Sequence, residues 1–160
     1  SGQSKRVEAL KVSLCNLPYS GNVEYSTHIQ DIGWQSYRKN GSISGTSGQS
    51  KRVEAIKIKL TGEISNYYDV YYRIHAQDLG WMSWTCNDSK AGTEGLELRV
   101  EAIQICLVEK GENAPGDISR PFVEQGKVEY SSHVQNIGWQ NYVNNGNTSG
   151  TVRQGLRLEA

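Results

Sequence analysis

His28-Ile29-Gln30-Asp31-Ile32-Gly33-Trp34, with Arg52-Val53-Glu54-Ala55 starting eighteen residues after the Trp, is the stretch on which the fold turns. The chain repeats it at the same spacing. His75-Ala76-Gln77-Asp78-Leu79-Gly80-Trp81 leads to Arg99-Val100-Glu101-Ala102, and His133-Val134-Gln135-Asn136-Ile137-Gly138-Trp139 leads to Arg157-Leu158-Glu159-Ala160. A fixed internal period marks a repeat architecture, in which one small unit cannot bury its own apolar face and its neighbours complete it. Recurrence also argues against a unique catalytic role for any one His, Glu or Trp.

Outward from this phrase the pattern is that of strands. From Arg52 to Leu60, Arg52, Glu54, Ile56, Ile58 and Leu60 share one parity and Val53, Ala55, Lys57 and Lys59 the other, which predicts a half-buried strand. Val23 to Gln30, Val70 to Gln77 and Val128 to Gln135 are β-branched and aromatic and predict a second strand. A third, from Trp34 to Lys39, ends at the turn signal Asn40-Gly41. Polar loops ending in Gly45-Thr46, Gly92-Thr93 and Gly150-Thr151 then carry the chain onward. The period is about 47 residues, and the third copy carries about eleven more, Glu112 to Val123, read as an exposed excursion.

These units predict an all-β fold. The expected arrangement is a closed pseudo-threefold ring of antiparallel β-units, a β-prism in preference to a β-trefoil, because closure removes exposed sheet edges. Residues 1–160 read as one domain with copies at approximately 6–51, 52–98 and 99–156, and a further copy's closing strand begins at 157. An open stack of units is the remaining alternative. Because the chain opens and closes in mid-repeat, it reads as part of a larger multidomain protein.

Composition narrows the function. Seventeen basic and seventeen acidic residues cancel, which leaves no basic excess for a phosphate backbone and argues against nucleic acid. No apolar run approaches the roughly twenty residues of a membrane span. Cys15, Cys86 and Cys106 do not recur at equivalent positions and form no Cys-x-x-Cys, which disfavours zinc and leaves their disulfide state open.

The repeated residues read as scaffold. Trp34, Trp81 and Trp139 are expected to anchor the core of each unit. His28 and Gln30, two apart, leave one face of their strand, as do His75 with Gln77 and His133 with Gln135. With Glu54 and Glu101 and the neighbouring Arg residues they are expected to satisfy one another by hydrogen bonding, on a face shared with Ile56 and Ile58. No catalytic residue, metal site or cofactor is assigned. A ligand is expected where one copy departs from the others, at Tyr67, Tyr68, Tyr71, Arg73 and Trp84, although Tyr71 and Arg73 are not read as sharing a face.

Tyr-x-x-His-x-Gln-x-Ile-Gly-Trp-Gln, then Gly-Thr and Arg-x-Glu-Ala-Ile, resembles the clostridial hydrophobic repeat with its Gly-Trp dipeptide, the ChW repeat. Tyr25 to Ile56 carries the likeness most fully, Tyr130 to Ala160 closely, and Tyr72 to Ile103 with Met82, Trp84 and Asp88 as departures. The resemblance implies a secreted or cell-surface protein of a Gram-positive bacterium and attachment to glycan or cell-wall polysaccharide. It brings no catalytic residue. The expected function is therefore a non-catalytic carbohydrate-binding module, with a structural or adhesive protein–protein module as the alternative and a hydrolase as a remote one.

Overall fold

The computed structural model describes residues 6–126, 128–144 and 146–159, and the chain divides into two compact units, 1–125 and 126–160. The strands of the first unit are β1 (Ala9–Leu10), β2 (Asn22–Ile29), β3 (Gly33–Trp34), β4 (Arg38–Lys39), β5 (Ser44–Gly45), β6 (Val53–Thr61), β7 (Tyr68–Ala76), β8 (Gly80–Trp81), β9 (Thr85–Cys86), β10 (Ala91–Glu94), β11 (Val100–Glu109) and β12 (Phe122–Glu124). The all-β reading holds, with the four-residue 3-10 turn Glu63–Asn66 as the sole helical element among the described residues.

The order of pairing explains the repeat. β2 pairs antiparallel with β6, and the short β3 and β4 return along its other edge. β7 pairs in the same way with β11, β8 and β9. Each Arg-x-Glu-Ala strand thus closes the hairpin of the copy before it. β6 also pairs with β10 of its own copy, so it joins two copies in one open sheet. Sheets built by handing a strand to the preceding copy extend sideways. Among the described residues none closes on itself, and the expected closed ring is not formed.

Gly92 shows why Gly-Thr and Arg-x-Glu-Ala recur together. It sits opposite Ala55 at φ +122°, and a Cβ there would lie 2.4 Å from the Glu54 carbonyl oxygen and 2.7 Å from Ala55 Cα. Gly45 approaches Ala9 in the same way in the first copy. The backbones touch, so Gly on one strand and a small residue on the other are both required.

The core of this unit takes Val23, Tyr25 and Ile29 from β2, Ile56 and Ile58 from β6, and Val70, Tyr72 and Ile74 from β7. Each such side chain contributes on the order of 1.5–3 kcal/mol by leaving water. The phenols of Tyr25 and Tyr72 do not waste a polar group: each donates to a turn carbonyl seventeen residues on, that of Ser42 or Ser89. The excursion is exposed along most of residues 112–121 but returns as β12, which runs parallel to β10.

In the second unit β13 (Glu129–Tyr130) pairs with β16 (Val143–Asn144), and β14 (His133–Val134) with β15 (Gly138–Trp139). A bridge from Val134 to Leu158 brings in the closing segment. Tyr130 donates to the Asn147 carbonyl, the same bond that Tyr25 and Tyr72 make.

Candidate functional site

The geometry of the repeated polar residues follows from a bulge. Along β2 and β6, His28 faces Ala55 and Ile29 faces Val53, so Glu54 is an extra residue with no cross-strand partner. Along β7 and β11, His75 faces Ala102 and Ala76 faces Val100, which leaves Glu101 over. A bulge reverses the alternation of faces. Simple parity therefore misplaces Arg52 and Glu54: they lie not with Ile56 and Ile58 but on the opposite face, beside His28.

On that face the polar side chains meet. Glu54 Oε1 accepts from Arg52 Nε at 2.9 Å, and its Oε2 lies 3.1 Å from His28 Nδ1. The second contact has the separation of an ion pair without hydrogen-bond alignment. In the second copy Arg99 Nη2 donates to Glu101 Oε1 at 2.8 Å and its Nη1 to Gln77 Oε1 at 3.0 Å, with His75 Nδ1 3.3 Å from Glu101 Oε2. His133 stands 3.3 Å from Glu159 in the second unit. Gln30, Gln77 and Gln135 also fix register through the backbone, each donating its N–H to the carbonyl of Arg52, Arg99 or Arg157.

The tryptophans are not in the core. Trp34, Trp81 and Trp139 face His28, His75 and His133 across their hairpins, and cross-strand partners project to the same side. Each ring meets its His edge to face at 5.4–5.5 Å on the polar face. Trp81 is 43% and Trp139 65% exposed. Trp34 is half-buried because the second copy covers it: Lys57 and Lys90 lie over the ring at 4.6 and 5.9 Å, and Nε1 donates to Glu94 at 3.4 Å. The buried aromatics are Tyr25 and Tyr72 instead. Burial of Glu94 raises its pKa, but the hydrogen bonds from Lys90 and Trp34 and the nearby positive charge outweigh that and hold it below the ordinary range.

Around Trp81 the structure forms a cleft of about 250 Å³. Trp81, Met82 and Ser83 form one wall, and Asp117, Ser119 and Arg120 from the excursion form the other. The Trp84 backbone N–H donates to the Asp117 carbonyl at 2.7 Å and the Ser83 backbone N–H to the Arg120 carbonyl at 3.3 Å, which seats the excursion on the segment between β8 and β9. Hydrogen bonds from Ser83 and Ser119 lower the Asp117 pKa and keep a carboxylate in the cleft. Behind Trp81, the Arg73 guanidinium lies 4.9 Å from the centroids of both Trp81 and Trp84 and is held at Nε by Gln104, 2.7 Å away.

The five expected ligand residues fall into two groups, with Arg73 meeting Trp84 while Tyr67 and Tyr68 gather on Tyr19. Tyr67 and Tyr68 lie at the start of β7, where Tyr67 stacks on Tyr19 at 3.7 Å and Tyr68 is tilted against the same ring at 6.2 Å. Tyr71 and Arg73 do share a face, being two apart on β7, and Tyr71 sits between Cys86 and Cys106 on the flanking strands. Trp84 is 9% exposed beneath the excursion and offers no stacking platform. All three cysteines are free thiols, and burial raises the Cys106 pKa. Sequence reasoning missed Ser83, Asp117, Ser119 and Arg120. The signal available was the excursion itself, a long insertion beside one of the repeated Gly-Trp turns. Among the described residues no group of three or more His, Cys, Asp or Glu side chains is placed to hold a metal ion.

Bulged closing strands handed to the preceding copy, and an indole carried on the polar face by its His, define a class of all-β repeat module. Within that class, this chain belongs to the Clostridial hydrophobic W (ChW) family, whose model matches residues 28–62, 75–109 and 133–160. No curated protein and no solved structure matches the chain.

Proposed function

We propose that the chain is a non-catalytic carbohydrate-binding module of a secreted or cell-surface protein, with the Trp81 cleft as its site. The observation that carries this reading is one exposed indole, with the Ser83 hydroxyl on its own wall, facing a carboxylate, a hydroxyl and a guanidinium across a shallow opening. A pyranose ring has an apolar face that stacks on such an indole, and its equatorial hydroxyls donate to Asp117 and accept from Arg120. The Arg73 sandwich restrains Trp81 before a ligand arrives, which lowers the ordering cost of binding. A threefold, prism-like grouping of the three Arg-x-Glu-Ala strands of the first unit, without a closed sheet, belongs to the same reading. It is supported by Val7 donating to the Val100 carbonyl and accepting from Val53, both at 2.9 Å.

A glycan array that includes cell-wall fragments tests the proposal. Binding should be lost in Trp81→Ala and Asp117→Asn and kept in Trp139→Ala. No bound glycan, or equal binding by Trp81→Ala, overturns it. The stack of exposed Tyr67 on half-buried Tyr19 favours a second reading, a protein–protein contact, in which Tyr67→Ala weakens adhesion and no glycan competes.

A further inference from the structure

Residues 6–14 repeat the sequence of β6 and make its bonds along one edge. Ala9 faces Gly45 as Ala55 faces Gly92. Gly41 donates to the Val12 carbonyl as Asp88 does to that of Ile58, each at 2.8 Å. Arg6 Nε donates to Glu8 Oε1 at 2.9 Å, the same distance as between Arg52 and Glu54. β6 carries β2 on its other edge, and the matching edge of 6–14 carries no strand among the described residues.

Over residues 8–11 and the β5 segment they pair with is a cavity of about 380 Å³ lined by Glu8, Leu10, Lys11, Ile43, Thr46 and Ser47. Counted along the repeat, these positions match Glu54, Ile56, Lys57, Lys90, Thr93 and Glu94. Four of those residues hold the His28–Trp34 pair: Glu54 and Glu94 meet the imidazole, and Lys57, Lys90 and Glu94 meet the indole. The cavity is an empty copy of the seat that His28 and Trp34 fill. Ile43, 50% exposed, replaces Lys90 and gives the indole an apolar wall.

We infer that this edge and cavity form a docking site for the His-x-Gln-x-x-Gly-Trp hairpin of a further copy of the repeat. The incoming strand adds antiparallel to residues 6–14, its His meets the Glu8 oxygen that Arg6 does not engage, and its Trp enters the cavity under Lys11. Backbone pairing supplies affinity and the His–Trp pair sets register, a strand-addition mode of recognition. Repeats would associate end to end by the contact that already joins the first copy to the second.

The test is amide hydrogen exchange at Lys11 and Ser13. The Val12 carbonyl points to Gly41, so these two neighbours point to the open edge. The first sample is the chain with a synthetic peptide of residues 16–46 added. The second carries that same segment ahead of Ser1, where Ser1 to Lys5 repeats Ser47 to Lys51 and preserves the native junction. Linkage raises the effective concentration to about the millimolar range. Exchange at both amides should slow at least about tenfold in both samples, and much less with Ile43→Asp or with Trp34→Ala in the added segment. If the extended chain keeps its β2–β6 amides protected while Lys11 and Ser13 exchange as in the parent, the inference is overturned. Equal slowing by the peptide and its Trp34→Ala form overturns it as well.

Discussion

His28 Nδ1 and Glu54 Oε2 lie 3.1 Å apart, and the same carboxylate accepts from Arg52, so one bulged residue ties together two strands of successive copies. Glu54 is buried and its counterpart Glu8 is not. Glu54→Ala strands both His28 and Arg52 and should cost about 3 kcal/mol, at the low end for breaking a buried pair. Glu8→Ala should cost no more than about 1 kcal/mol. Urea denaturation of the two variants measures the contrast, and equal midpoints would remove the bulge network as a source of stability.

The exchange of places between Trp and Tyr is also measurable. Tyr25→Ala empties a fully buried site and should cost about 3–5 kcal/mol, whereas Trp139→Ala, largely exposed, should stay within about 1 kcal/mol. Tyr25→Phe isolates the bond to the Ser42 carbonyl and should cost about 1 kcal/mol. A Trp139→Ala variant that unfolds would restore the indole to the core.

Much of the fold was legible in the sequence because strand periodicity and turn chemistry are local. Val23, Tyr25 and Ile29 alternate, and Asn40-Gly41 and Asn87-Asp88 mark turns that the structure contains. The placement of the tryptophans was legible in part: His28 and Trp34 flank one tight turn, and the apolar parity of Tyr25 and Ile29 puts His28 on the other face. The bulge at Glu54 was not, because an extra residue in one strand shows only once its partner is known. The cleft was illegible for a similar reason. Asp117 and Arg120 reach Trp81 through a pairing between β10 and β12 that no local pattern announces.

Acid should act through Glu94. Its ordinary value is 4.5 and the folded value lies lower, so its contribution to stability is present above the unfolded value and is lost as pH falls through the folded one. Stability should therefore begin to fall below about pH 5, and Glu94→Gln should make that acid limb shallower while lowering stability at neutral pH. Denaturant midpoints taken from pH 7 to pH 3 test this. An unchanged slope would mean that Lys90 and Trp34 leave the carboxyl untuned.

Gly92 and Gly33 separate two uses of glycine. Both have positive φ, +122° and +83°, but a Cβ at Gly33 meets nothing within 4 Å while one at Gly92 meets Glu54 and Ala55 backbone. Gly33→Ala should therefore cost only the conformational penalty, about 1–2 kcal/mol. Gly92→Ala adds a clash with a strand paired on both edges, which cannot retreat without breaking β2–β6 or β6–β10. It should cost well over 3 kcal/mol or prevent folding, as severe overpacking does. Thermal melts of the two variants decide the matter. A tolerated Gly92→Ala would mean that β6 and β10 are not in backbone contact there, and the Gly-Thr and Arg-x-Glu-Ala repeats would lose their common cause.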